Sequence, residues 1–119
     1  MKTISAAEYR EKYLIPKSKM RNVKTEVDGI TFDSRLEANR YCELKLLKQT
    51  GAIRWFGRQP SFVLDESNRR YRPDFIVCDT NGNIWVEDCK GYATDTFKSK
   101  KRQWDKVYPG LPLVEVKRR

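Results

Sequence analysis

The chain has 119 residues, the span of one domain, and its 39% hydrophobic and 12% aromatic content excludes a disordered chain. No run approaches the roughly eighteen apolar residues of a membrane span, and the start, Met1-Lys2-Thr3-Ile4-Ser5, has no apolar signal segment, so a soluble, cytoplasmic protein is expected. Histidine is absent, which excludes any mechanism with a histidine base, and three cysteines at 42, 78 and 89 without a Cys-x-x-Cys pair argue against a structural zinc site.

The net charge of +9 is segregated: residues 1–24 carry +5, residues 98–119 carry +6, and the middle, 25–97, carries −2. A polyanion is therefore expected at the ends, while carboxylates gather in the centre. In chain order, Ser5-Ala6-Ala7-Glu8 has capping-box spacing and predicts a short helix to about Leu14, stopped by Pro16. Lys17 to Lys24 reads as a flexible basic arm. Residues 25–32 alternate around Asp28-Gly29, a hairpin pattern. Asp33 or Ser34 caps a helix running to about Thr50 and closed by Gly51. Ile53–Phe56 and Ser61–Leu64 read as short strands joined by Gly57-Arg58-Gln59-Pro60, with 65–70 a polar loop. Tyr71–Asp79 and Ile84–Lys90 read as strands around Asn81-Gly82, Thr94-Asp95 caps a helix to about Tyr108, and Leu113–Val116 is a last strand. The expectation is an α/β domain over 25–119, a central mixed sheet of about four or more strands flanked by helices, preceded by a basic helix and arm over 1–24.

Strand alternation puts Asp74, Ile76 and Cys78 on one face, and Ile84, Val86, Asp88 and Lys90 on one face. A three-residue turn, Thr80-Asn81-Gly82 with Gly82 left-handed, pairs Asp79 with Asn83, Ile76 with Val86 and Asp74 with Asp88. A two-residue Asn81-Gly82 turn opposes Asp74 to Cys89 instead and splits the carboxylates; the hydrophobic pattern leaves both registers open. Two carboxylates side by side repel unless a cation sits between them, and hard oxygen donors with room for water suit Mg²⁺ or Mn²⁺. Lys90, beyond Asp88, would orient a water or neutralise charge developing on a phosphate. On the second helix Glu37, Tyr41 and Leu44 form one stripe; Glu37 points toward the sheet if they pack on it, and it is also placed to cap its own helix through Ser34. Glu87 falls on the face opposite Asp88 and is the weaker ligand candidate. On the third helix Phe97, Lys101 and Trp104 share one side, while Lys98 and Arg102 share another that suits phosphates.

Pro73-Asp74 followed after thirteen residues by Asp88-Cys89-Lys90 resembles the signature of the PD-(D/E)XK nuclease superfamily. Thr25-Glu26-Val27-Asp28-Gly29-Ile30, Phe32-Asp33-Ser34, Glu37-Ala38, Gln59-Pro60, Pro73-Asp74-Phe75 and Val86-Glu87-Asp88-Cys89-Lys90-Gly91 are similar to a small phage and prophage branch catalogued as a domain of unknown function. The resemblance implies a restriction-endonuclease-like fold and a divalent metal on Asp74, Asp88 and the backbone carbonyl of Cys89. It also implies Glu37 as an indirect ligand through water and Lys90 as the catalytic lysine. Gln103 and Tyr108 depart from the Gln-x-x-x-Tyr spacing of some branches and are assigned no catalytic role. The expected activity is Mg²⁺-dependent endonucleolytic cleavage of DNA, nicking or junction-resolving in phage replication or recombination. DNA would be held through its backbone by Lys17, Lys19, Arg21, Lys24, Lys98 and Arg102, in a monomer or a homodimer, in the cytoplasm of a phage host. A non-catalytic nucleic-acid-binding protein of the same fold, and an RNA-directed nuclease, are the alternatives.

If the arm holds phosphates, deleting residues 1–24 should weaken DNA binding and flatten the slope of log affinity against log salt by roughly two to four units, with sequence preference unchanged. A well-folded truncation, verified by thermal melting, with an unchanged slope removes the arm from DNA binding.

Overall fold

The computed structural model describes residues 24–65, 69–90 and 95–117. The expected helix over 5–14, the basic arm up to residue 23 and the expected cap at Thr94 lie outside the described residues. No helix among the described residues is long and apolar enough to cross a membrane.

Asp28 (φ +56°) and Gly29 (φ +77°) both take left-handed conformations, as a two-residue hairpin turn requires, and join β1 (Thr25–Val27) to β2 (Ile30–Phe32). Helix α1 (Arg35–Gln49) follows, its start capped by the Ser34 hydroxyl, which accepts the Glu37 backbone N–H at 3.1 Å. Its end is closed by Gly51 (φ +83°): the N–H groups of Gly51 and Ala52 return to the Lys48 and Leu47 carbonyls at 3.1 and 2.8 Å.

The main sheet has strand order β3 (Ile53–Arg58), β6 (Phe75–Asp79), β7 (Ile84–Lys90), β8 (Leu113–Lys117), with β4 (Phe62–Val63) and β5 (Arg70–Tyr71) forming a separate ribbon. The β3–β6–β7 ladders are antiparallel; β8 runs parallel to β7, and helix α2 (Asp95–Val107) makes the crossover between them. The sheet is therefore mixed and carries helices, as the sequence pattern implies.

Two core clusters follow from alternation along the strands. Phe75 and Val77 face α1 and pack with Phe32, Ala38, Leu44 and Ile53. Val86 faces the other way and packs with Leu64, Tyr71, Phe97, Trp104 and Leu113, largely beneath α2. Phe97 and Trp104 share the inward side of α2, leaving Lys98 and Arg102 exposed. Lys101 lies at the edge of that inward side and donates to the Leu113 carbonyl at 3.3 Å.

Two expected boundaries are corrected. Gly57 and Arg58 belong to β3 rather than to a connector: Gly57 pairs with Ile76, and a Cβ there would come within 3.3 Å of the Ile76 side chain. The single strand expected over Tyr71–Asp79 is two, because Pro73 has no N–H to give the ladder, and Arg70 lies in β5 rather than in the loop.

The α1 face also buries a charge. Glu87 is 1% exposed, and both its carboxylate oxygens take Arg40 N–H groups at 2.7 Å, with the Trp85 indole donating at 2.9 Å. This clamp ties α1 to the middle of β7. Arg40→Ala strands Glu87 in the core and should cost about 3–5 kcal/mol in urea unfolding, with part recovered by adding Glu87→Gln. A loss below about 1 kcal/mol would mean the pair does not hold the helix.

Candidate active site

The turn between β6 and β7 decides which side chains meet. Gly82 takes φ +87°, its N–H bonds the Asp79 carbonyl at 3.2 Å, and Asp79 N–H reaches Asn83 O at 2.9 Å. The Asp79 carboxylate adds bonds to the N–H groups of Asn81 and Asn83, both at 2.9 Å. This is the three-residue turn of the two considered, and it sets Ile76 opposite Val86 and Phe75 opposite Glu87. Asp74 and Asp88 are the next positions outward.

Asp74 stands in the break between β5 and β6, one residue before the ladder begins, yet its backbone is fixed on both sides. Its N–H donates to Glu87 O and its carbonyl accepts from Gln59 N–H, each at 2.9 Å, where Gln59 turns out of β3 with φ +49°. Its carboxylate accepts the Cys89 N–H at 2.7 Å. The side chains of Asp88 and Glu37 lie close enough to Asp74 for their charges to bear on it. Glu37 reaches them from the first turn of α1, so it both lies over the capped helix start and faces the acid pair. The Lys90 ammonium is 3.6 Å from Asp88 Oδ1 and lies over the Phe97 ring. The structure thus brings together Glu37, Asp74, Asp88, the Cys89 backbone and Lys90.

It does not bring in Glu87, which points to the other face and is consumed by Arg40. Gln103 and Tyr108 brace the β4–β5 ribbon by donating to the carbonyls of Leu64 and Val63. Lys98 and Arg102 are exposed on α2, and Lys24, also exposed, is 3.8 Å from Asp33; Lys17, Lys19 and Arg21 lie outside the described residues.

Three further neighbours of the acids have little or no local signal in the sequence. Tyr71, buried on β5, donates its hydroxyl to Asp88 Oδ2. The only trace in sequence is that Tyr71 alternates with Arg70 and Arg72, both exposed. Arg58, at the end of β3, lies 4.9 Å over the Phe32 ring, and its charge opposes the rise of the Glu37 pKa. Its buried Nε has no hydrogen-bond partner among the described residues. Glu115 stands opposite Asp88 in the parallel β7–β8 ladder, a pairing between segments far apart in the chain.

The electrostatics follow from three acids in a poorly hydrated corner. Burial, then the Asp88 charge, pushes the Asp74 carboxyl up to about 8, against the lowering effect of the Cys89 N–H. Glu37 is raised by burial and by the nearby charges of Asp33 and Asp88. Burial and the Asp74 charge push the Cys89 thiol up, and burial beside Asp88 does the same to the Tyr71 phenol. The acid pair therefore wants a positive charge between its members, a proton or a cation. No group of three or more His, Cys, Asp or Glu among the described residues is placed to hold a metal ion. Mg²⁺ does not require such a group: it commonly takes one or two carboxylates and fills the remaining positions with water and substrate phosphate. The donor set fits that pattern: the Cys89 N–H and the Tyr71 phenol take the Oδ2 atoms of Asp74 and Asp88, leaving Asp74 Oδ1 and, with Lys90 3.6 Å away, Asp88 Oδ1 as donors.

Because the folded Asp74 binds its proton more tightly than the unfolded chain does, its contribution to stability is complete below about pH 4 and is lost as pH rises through about 8. With no histidine in the chain, few other groups titrate in that window. In EDTA the melting temperature should fall between pH 5 and pH 8.5, and Asp74→Asn should remove most of that slope. An equal slope in the variant would place the proton elsewhere.

No curated protein matches the chain significantly. A family model described as "Protein of unknown function (DUF1064)" matches residues 17–118, nearly the whole chain, and so includes every member of the acid–lysine cluster. The chain belongs to the DUF1064 family.

Proposed function

We propose that this protein is a divalent-metal-dependent endonuclease of the PD-(D/E)XK type that hydrolyses phosphodiester bonds in DNA. The observation that carries the reading is the register of β6 and β7, which sets Asp74 and Asp88 at the neighbouring ends of two strands, with Lys90 3.6 Å from Asp88. A purely structural ion pair would balance its charges; here buried Glu37 and Asp88 and half-buried Asp74 meet only Lys90 and Arg58.

Asp74, Asp88 and the Cys89 carbonyl would hold Mg²⁺ or Mn²⁺, with Glu37 acting through an intervening water. When bound, the metal supplies Lewis-acid stabilisation of charge on the phosphate and leaving oxygen. The protein's own groups do the rest. The Cys89 N–H fixes one Asp74 oxygen so that the other keeps its direction. Lys90 extends from Asp88 with a side chain 38% exposed, so its ammonium can donate to a phosphate oxygen or hold the attacking water. Phe97, under that ammonium, limits water on one side. Lys98 and Arg102, exposed on α2, suit contacts to backbone phosphates without base reading. Nicking or junction resolution in phage replication or recombination, inside the host cytoplasm, is the biology we favour, and a homodimer would suit a two-stranded substrate.

The test is a cleavage panel with Mg²⁺ or Mn²⁺ over duplex, single-stranded and branched DNA and over RNA. Asp74→Ala and Asp88→Ala should abolish cutting in folded protein, and Lys90→Ala should lower turnover by at least about a hundredfold. Cleavage by Asp88→Ala at the wild-type rate would refute the mechanism. Cutting of RNA alone would change the substrate, and DNA binding without cutting would leave a binding protein.

A further inference from the structure

We infer that Tyr71 is a positioning residue for the metal site: its hydroxyl occupies one oxygen of Asp88, makes that carboxylate a one-oxygen ligand, and so sets the preference for Mg²⁺ over Ca²⁺. The inference rests on the metal-dependent reading of the site and extends it to a residue outside the acid–lysine signature.

Three observations carry it. The phenol donates to Asp88 Oδ2, while Lys90 approaches Oδ1, so the two oxygens are already distinguished before any cation arrives. The ring is held rigidly: Tyr71 is 5% exposed, packs edge-on against Trp104 at 5.9 Å, and has the Lys100 ammonium 5.2 Å over its face. Its backbone is fixed by pairing with Phe62 across the β4–β5 ribbon, which Gln103 and Tyr108 brace from α2. Tyr71 therefore cannot follow Asp88 if that side chain rotates. Asp88 is held in turn.

The consequence is coordination geometry. Ca²⁺ takes six to eight oxygens and readily accepts both oxygens of a carboxylate, whereas Mg²⁺ demands a tight octahedron with one oxygen from each. A hydrogen bond that competes with the metal for Oδ2 disfavours two-oxygen binding and so favours the smaller ion. Residues that orient a ligand from behind commonly change metal affinity by about 10–100-fold when removed.

The experiment is calorimetric titration of Mg²⁺, Mn²⁺ and Ca²⁺ into the full-length wild type, Tyr71→Phe and Tyr41→Phe. Tyr41→Phe is the structural control: it also deletes a phenol bond, to Asp28 Oδ2 at 3.0 Å, away from the Trp104 cluster. Tyr71→Phe should bind Mg²⁺ at least about tenfold more weakly with Ca²⁺ affinity much less affected, so that the Mg²⁺-to-Ca²⁺ ratio falls about tenfold. Tyr41→Phe should keep the wild-type ratio. A measurement on the wild type alone guards against misfolding of the variant. Adding Mg²⁺ should shift the tyrosine band of the near-ultraviolet difference spectrum, because the phenol's acceptor becomes a metal-bound carboxylate. An unchanged ratio in folded Tyr71→Phe, or no tyrosine shift on saturating the wild type, overturns the inference while leaving the metal site standing. A wild type that binds none of the three ions overturns both.

Discussion

Gly82 sits at φ +87° in the turn between β6 and β7, and the register of the two central strands depends on it. A slip of one residue there would turn every β7 side chain to the opposite face. Val86 would leave the Trp104 cluster, Glu87 would leave Arg40, and Asp88 would part from Asp74. The same turn thus serves the core and the candidate site at once. Asp79 reinforces it with two backbone bonds and a side-chain bond to Asn83, and these bonds hold its own carboxyl below the ordinary carboxylate range.

The two faces of β7 divide the labour. On the α1 face Glu87 is neutralised by Arg40 and contributes to holding the helix, whose first turn delivers Glu37. On the α2 face Asp88 is served by Tyr71 and Lys90, and Asp74 is pinned between β3 and β7 at the break that Pro73 creates. Burial and the Asp88 charge raise the proton affinity of Asp74, and burial raises that of Glu37. A cation held by these acids, as proposed, would offset that cost.

Much of this was legible in the sequence because the signals were local. Asp28-Gly29, Ser34 with Glu37, Gly51 and Asn81-Gly82 each carry a backbone requirement within four residues, and each element they bound is present. Asp74 and Asp88 were reachable because one short turn joins their strands, although hydrophobic alternation could not choose between a two- and a three-residue turn. What stayed hidden depends on long-range packing. Tyr71 meets Asp88 only because the β4–β5 ribbon folds against α2, and nothing in Arg70-Tyr71-Arg72 states that. Gly57 reads as a loop signal, but its role is close approach to Ile76 within β3, and that carries Arg58 into the strand. Glu115 lies opposite Asp88 through a parallel pairing across the α2 crossover, which no local pattern encodes.

The proposal that Asp74 and Asp88 together hold one divalent cation can be checked by growing crystals of the full-length protein in saturating Mn²⁺ and recording anomalous scattering at the manganese edge. A peak is expected between Asp74 and Asp88, within about 2.3 Å of one oxygen from each and close to the Cys89 carbonyl. Density that is empty there, or a manganese bound instead on the Glu87 face, would contradict it.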